Sequence, residues 1–236
     1  MKPPEGRGGP QRIPRPAGAE MGGPPPWAEL ASCARRVTIA GIEEALSSRG
    51  AAGQVGDAPA GASQSAVLVV LYEDDGEVHV VLTRRSPRMR HHAHEVSFPG
   101  GRRDTDDPDL WHTAVREATE EIGIDPTGLR RIGELDSFMT VGSLTLVHPF
   151  VAVTSRRPDL TASPDEVESI LHVPLSELLL DEVWREEVWP IALVGRRAIT
   201  FFELVGDTVW GATGAMLRQL LAIATGTDDR ILGGPA

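Results

Sequence analysis

Cysteine is almost missing from this chain. Cys33 stands alone, which rules out an intramolecular disulfide and a structural zinc site built on cysteine. Lysine is as scarce, Lys2 being the only one, so nearly every positive charge is an arginine. Cations are also outnumbered, 23 Lys and Arg against 34 Asp and Glu. The resulting formal net charge of −11 and pI near 5.1 argue against nonspecific binding to nucleic acid or to an anionic membrane, while leaving room for local basic pockets. No uninterrupted apolar run approaches the roughly 18 residues of a membrane span. The opening MKPPEGRGGPQRIPRP lacks the apolar core of a signal peptide. The expectation is a soluble, cytoplasmic protein with no nucleic-acid or membrane partner.

What is present suits one domain of ordinary size with extensions. Residues 1–26 are rich in Pro, Gly and Arg with little to bury, and read as disordered. Met21 offers an alternative start, so residues 1–20 are expected to be dispensable. Residues 27–64 read as a helical extension and linker: Leu30, Ala34, Val37, Ile42 and Leu46 follow a helical pattern that Gly41 weakens, and Ala and Gly dominate after residue 48. Residues 65–226 form the main domain and 227–236 a tail. Within the domain, apolar runs at 65–72 and 78–83 flank Asp74-Asp75-Gly76 as a hairpin. Further strands are expected at 96–98, 129–138, 144–153 and 198–205, with Pro149 implying an edge or a bulge. Helices are expected at 109–122, stopped by Gly123, at 174–180, and through Trp210, Gly214, Leu217, Leu221 and Ala224. Strands mixed with two substantial helices give an α+β class rather than regular βαβ repeats.

The most informative stretch is residues 100–124, GGRRDTDDPDLWHTAVREATEEIGI. At about 100° per residue, Glu117, Glu120 and Glu121 fall on one helical stripe, and Trp111, Ala114, Val115, Ala118 and Ile122 on the other. Carboxylates at these spacings repel by a few tenths of a kcal/mol per pair on an isolated helix. Clustered hard oxygen donors suit Mg²⁺ or Mn²⁺ held jointly by carboxylates, waters and substrate phosphates. A solvated acidic face is the ordinary account of an E-x-x-E-E run. Here Arg116 before it, Gly123 after it and the Gly-rich lead-in favour the metal.

Arg116-Glu117-Ala118-Thr119-Glu120-Glu121-Ile122-Gly123-Ile124 matches the R-E-U-x-E-E-x-G-U ending of the Nudix box. Upstream, Leu82-Thr83-Arg84-Arg85-Ser86-Pro87-Arg88-Met89-Arg90, running through His92 to Phe98-Pro99-Gly100-Gly101, resembles the additional motif of the coenzyme A pyrophosphatase branch. The chain thus resembles a Nudix hydrolase of that branch over residues 65–225, including Pro164-Asp165-Glu166-Val167-Glu168, Val173-Pro174-Leu175 and Trp210-Gly211-Ala212-Thr213. Two departures from the general box agree with the branch: Asp107 stands six residues after Gly101 where a Glu is usual, and eight rather than seven residues separate it from Arg116. A third does not, since His94-Glu95 replaces the branch's Gly-Gln and bears on substrate choice.

The resemblance implies a mixed β-sheet sandwiched between helices and metal-assisted hydrolysis of a nucleoside-diphosphate-linked small molecule, coenzyme A being favoured over ADP-ribose, a dinucleotide or a nucleoside triphosphate. It implies Glu117 and Glu121 as Mg²⁺ or Mn²⁺ ligands, Glu120 as a further or indirect ligand, and the Gly101 carbonyl reaching the same ion. Arg116 joins this catalytic set by holding a carboxylate through a charge-assisted fork. The water's proton passes to one of the three glutamates or to Glu166 or Glu168. Arg85, Arg90, Phe98 and Gly100 fall on the substrate side, with Arg85 and Arg90 facing phosphate. A zinc site among His91, His92 and His94, and an adenine platform at Trp210, are weaker readings than a substrate loop and core packing. A homodimer is compatible with this picture. The rival class is a non-catalytic nucleotide sensor, against which the full carboxylate set argues.

Overall fold

Side-chain alternation along one long strand organises the molecule, in which the computed structural model describes every residue except 1–4, 56–57, 60, 90–91, 141–143, 192–194 and 230–236. Along the described chain run β1 (Glu20–Met21), α1 (Ile39–Arg49), β2 (Gln54–Val55), β3 (Ser63–Asp74), β4 (Glu77–Arg85), β5 (Val96–Ser97), β6 (Gly100–Arg102) and α2 (Leu110–Ile122). There follow β7 (Arg130–Glu134), β8 (Ser137–Met139), β9 (Thr145–Val153), β10 (Val167–Pro174), α3 (Leu175–Leu178), β11 (Trp184–Ile191), β12 (Gly195–Leu204), β13 (Asp207–Trp210) and α4 (Gly211–Thr225). The larger sheet is ordered β10-β4-β3-β9-β8-β2, with β5 on β4, β6 on β3 and β7 on β9. The smaller one is β1-β11-β12-β13. β3 pairs in parallel with β9 and antiparallel with β4 and β6, so the larger sheet is mixed.

Successive residues of a strand point to opposite faces, and β3 is apolar on both. Leu68, Val70 and Tyr72 face α2, packing with Ala114, Ala118 and Ile122. Val69 and Leu71 face the main core with Ile42 and Leu46 of α1, Leu217, Leu220 and Leu221 of α4, Trp27, and Phe202, Leu204 and Val209 of the smaller sheet. Helices on both faces of a mixed sheet are the expected α+β arrangement. The β3–β4 turn also forms as read, Asp75 and Gly76 taking φ of 50° and 76°, the primed geometry that suits a two-residue hairpin.

Several expectations are corrected. Of the edge or bulge expected at Pro149, the edge is not found, since β9 lies inside the sheet; the register does shift at Pro149, between Phe150, opposite Glu134 of β7, and Val147, opposite Phe138 of β8, as a bulge would make it. The Pro149 carbonyl accepts Leu135 N at 3.0 Å on that side, so the missing N–H falls at the junction of two partner strands, where a ladder bond is least needed. The helix at 27–48 is shorter, starting after Thr38, whose side chain caps Gly41 N, and part of the presumed linker forms β2 against β8. β10 and β11 were not among the expected strands. The first 26 residues are not disordered where described: β1 pairs with β11, Gly8 N donates to Leu204 O at 2.7 Å, Arg7 meets Glu177 and Arg15 meets Glu187. Polar contacts to the smaller sheet hold this segment, which apolar content does not register. In the tail, Asp229 ion-pairs with Arg49.

Candidate active site

The carboxylate helix is bounded by local chemistry. The Asp109 side chain accepts His112 N at 2.9 Å at the N-terminus, and Gly123, with φ of 65°, ends the helix in the left-handed conformation that glycine adopts freely. Loop and helix are joined by one ion pair. Arg116 Nε and Nη2 fork onto Asp107 Oδ1 and Oδ2 at 2.9 and 3.0 Å, while Asp107 also accepts Asp104 N and Thr113 Oγ1, each at 2.9 Å. Arg116 above all holds the Asp107 carboxyl well below the usual carboxylate range, and the Arg116 pKa is raised in turn. Arg116 Nη1 further reaches Glu117 Oε1 at 2.9 Å and Glu120 Oε2 at 3.1 Å. It therefore positions the loop and two glutamates. The sequence flagged Asp107 only as a departure from the box, by its count from Gly101, and its role as Arg116's partner emerges from the structure.

The three glutamates differ in setting. Glu121 is buried at 3% exposure, accepts Gly100 N at 3.1 Å and lies 3.8 Å from Arg85 Nη1. Burial, reinforced by Glu166 and Glu117, pushes its pKa up to about 7 against the opposing Gly100 N–H and Arg85. Glu117 is half-buried and also raised, burial outweighing the adjacent Arg116. Its carboxylate lies so close to Gly101 that a Cβ there would overlap it. Gly100, with φ of 153°, runs against Ala66 and Val67 of β3, leaving no room for a side chain there either. Glu120 is exposed beside Arg116. Among the described residues no three His, Cys, Asp or Glu groups form a closed ligand cluster. Two inward carboxylates whose charged forms are disfavoured, next to a glycine backbone, nevertheless fit a divalent cation that takes its other ligands from water and phosphate.

The loop after β4 comes to this helix through Arg85. Arg84 turns instead to Asp207, donating from Nη2 to Oδ2 at 3.1 Å, with Glu168 at 3.6 Å from Nη1. His94 pairs with Glu168 through Nδ1 at 2.8 Å, and His92 with Glu95 at 2.8 Å. Both histidines adopt positive φ, 60° at His92 and 62° at His94, a region where a non-glycine residue is strained by about 1–3 kcal/mol. His94 thus occupies a glycine-like conformation where the resembled branch has Gly. Arg90 and His91 lie outside the described residues. Phe98, expected on the substrate side, is 2% exposed and belongs to the main core, its position beside β5 turning the ring inward. Trp210 stacks on Phe201 at 6.3 Å and 8°, a packing role.

The profile of the NUDIX domain family matches residues 62–192. The chain belongs to the Nudix hydrolase family. "Nudix hydrolase 15, mitochondrial" of Arabidopsis thaliana is 36% identical over 169 residues, covering 68% of this chain and 58% of that protein. "Peroxisomal coenzyme A diphosphatase ndx-8" of Caenorhabditis elegans is 38% identical over 131 residues, 51% of this chain and 53% of its own length. The chain spans little more than half of these two relatives. The Nudix hydrolase NudL of Citrobacter koseri is 35% identical over 158 residues, 66% of this chain and 80% of its length. Among solved structures, a C. elegans Ap4A hydrolase in a binary complex is similar with a TM-score of 0.42 and 23% identity over 49% of this chain and 82% of that one. Within the Nudix box, the three glutamates come from α2 and Gly100 and Gly101 from β6. Among the described residues no helix is long and apolar enough to cross a membrane.

Proposed function

We propose that this Nudix hydrolase cleaves the diphosphate of coenzyme A or its derivatives, releasing 4′-phosphopantetheine and adenosine 3′,5′-bisphosphate. The observation that carries the reading is the approach of Arg85, from the loop resembling the coenzyme A branch, to 3.8 Å from Glu121 on the Nudix helix. A cation for phosphate and a carboxylate for metal thereby share one site. Glu117, Glu121 and the Gly101 carbonyl would hold Mg²⁺ or Mn²⁺, with Glu120 as a further or indirect ligand. The bound ion supplies neutralisation of phosphate charge and a lowered pKa for water. Arg85, with Arg90, grips substrate phosphate, and Arg116 keeps Glu117 aligned through its fork on Asp107. Glu166 takes the water's proton: its charge acts on both Glu117 and Glu121, and its carbonyl accepts Ser86 N at 2.8 Å beside the loop. A cytoplasmic setting suits the exposed, unpaired Cys33.

One observation favours a second substrate. Arg84 is neutralised by Asp207 and Glu168, and Glu95 and Glu168 border the loop, a balance that disfavours the extra 3′-phosphate of coenzyme A and suits ADP-ribose or a dinucleotide. Turnover of coenzyme A, dephospho-coenzyme A, ADP-ribose and a diadenosine polyphosphate with Mg²⁺ and with Mn²⁺, products resolved by mass, separates the readings. Coenzyme A should be preferred over its dephospho form by roughly 10- to 150-fold in kcat/KM, the worth of one charge-assisted contact. ADP-ribose cleaved at least about tenfold better than coenzyme A would transfer the assignment to the second substrate class.

A further inference from the structure

Gln11 lies far from the Nudix box in sequence, yet the residue is only 9% exposed and its side-chain amide is fully engaged. Nε2 donates to His94 O at 2.9 Å and to Asp207 Oδ1 at 2.8 Å, while Oε1 accepts Thr208 N at 2.9 Å. The alternative amide orientation would set oxygen against two acceptors and nitrogen against a donor, so the orientation is forced. His94, which receives this bond, holds a φ of 62° and closes the neck of the loop that begins at Arg85: His94 N donates to Arg85 O at 3.1 Å and Arg85 N to Glu95 O at 2.9 Å. Asp207, the other partner, holds Arg84. The amide is thus tied to both ends of the loop that delivers Arg85 to Glu121.

The segment around Gln11 is built to bring it there. Gly8 N donates to Leu204 O at 2.7 Å, and Arg7 reaches Glu177 Oε1 at 3.1 Å and Glu203 O at 3.2 Å. A Cβ on Gly9 would overlap Gly206 O and the Asp207 backbone, so glycine is what allows the approach to the β12–β13 turn.

We propose that residues 7–11 form a strap whose Gln11 is a positioning residue for the substrate loop, holding the neck at Arg85 and His94 so that Arg85 meets phosphate at the carboxylate helix. This rests on the reading of that loop as the substrate loop. A disfavoured backbone angle persists only when its surroundings over-determine it, and the Gln11 amide and Glu168 are the groups that fix His94 from outside the loop.

The test uses the full chain with Gln11→Met, which keeps volume but removes the amide, and Gln11→Asn, a milder change that withdraws the amide by one methylene. Hydrogen exchange without substrate is compared at the Arg85, His94 and Glu95 amides and along α2. Both variants should exchange faster at the neck, by about tenfold for the loss of one or two such bonds, with α2 unchanged. With a hydrolysed diphosphate, KM should rise by about tenfold while kcat stays within about twofold, because Arg85 binds rather than reacts. Unchanged exchange at the neck in both variants, or a rise no greater than that along α2, overturns the proposal. If no diphosphate is hydrolysed by the unaltered chain, the hydrolase reading falls, and the exchange comparison still decides the strap.

Discussion

Glu121 shows how one carboxylate can carry a stability cost at the centre of a candidate site. Its proton is held to about pH 7 in the folded chain, against an ordinary value of 4.5. Between these values the folded state binds more protons than the unfolded one, so the metal-free protein loses stability as pH rises, by on the order of 3 kcal/mol across the window. Melts with chelator at pH 4.5 to 8 should show this slope in the wild type and its near-absence in Glu121→Gln, which keeps an acceptor for Gly100 N–H. Equal slopes in the two proteins would remove the burial argument. With metal and substrate present, Glu117→Gln and Glu121→Gln should each lower kcat by at least about 100-fold with the fold intact, and near-normal turnover at saturating Mg²⁺ would refute the ligand roles. These positions are legible in the sequence because helical periodicity alone aligns them. Asp107 is half legible: its count from Gly101 marks it, but its partner Arg116 lies across a turn where no periodicity points.

At the scale of elements, β6 and α2 act as a single unit. A side chain at Gly101 would take the space that the Glu117 carboxylate fills. Gly101→Ala should therefore displace Glu117 and abolish most turnover while shifting the melting temperature only a few degrees, since about 1 kcal/mol moves Tm by 2–4 °C in a chain of this size. Full activity in that variant would show that Glu117 does not need its position. Asp109→Ala, by contrast, removes a cap worth about 1 kcal/mol and should lower stability before activity. The α2 boundaries follow from Asp109 and Gly123, and the β3–β4 hairpin from Asp75-Gly76, because caps and turns are local chemistry. β11 is hidden for the opposite reason: Glu186 and Glu187 are buried within it, paired respectively with Gly23 N and with Arg15 and Arg185, so charge masks the alternation that marks a strand.

For the whole molecule, residues 5–20 are part of the fold. Composition suggests disorder because it counts apolar side chains, whereas this segment is held by Arg7, Gln11, Arg15 and backbone pairing to β11. Translation from Met21 should therefore yield a protein melting at least about 5 °C lower, the effect of a few kcal/mol, and an unchanged melt would restore the dispensable reading. Besides His94, 83 positions on, the strap's partners Glu177, Glu203 and Asp207 stand 170 to 196 positions away. Closing so long a loop is entropically unfavourable, and during synthesis the N-terminal segment leaves the ribosome long before β12 and β13 do. On the proposed role of the strap, a nascent chain that ends before β12 carries the whole Nudix box and yet lacks Leu204 and Asp207, two of the groups that seat residues 7–11, so the neck at His94 is set only after these strands have been made.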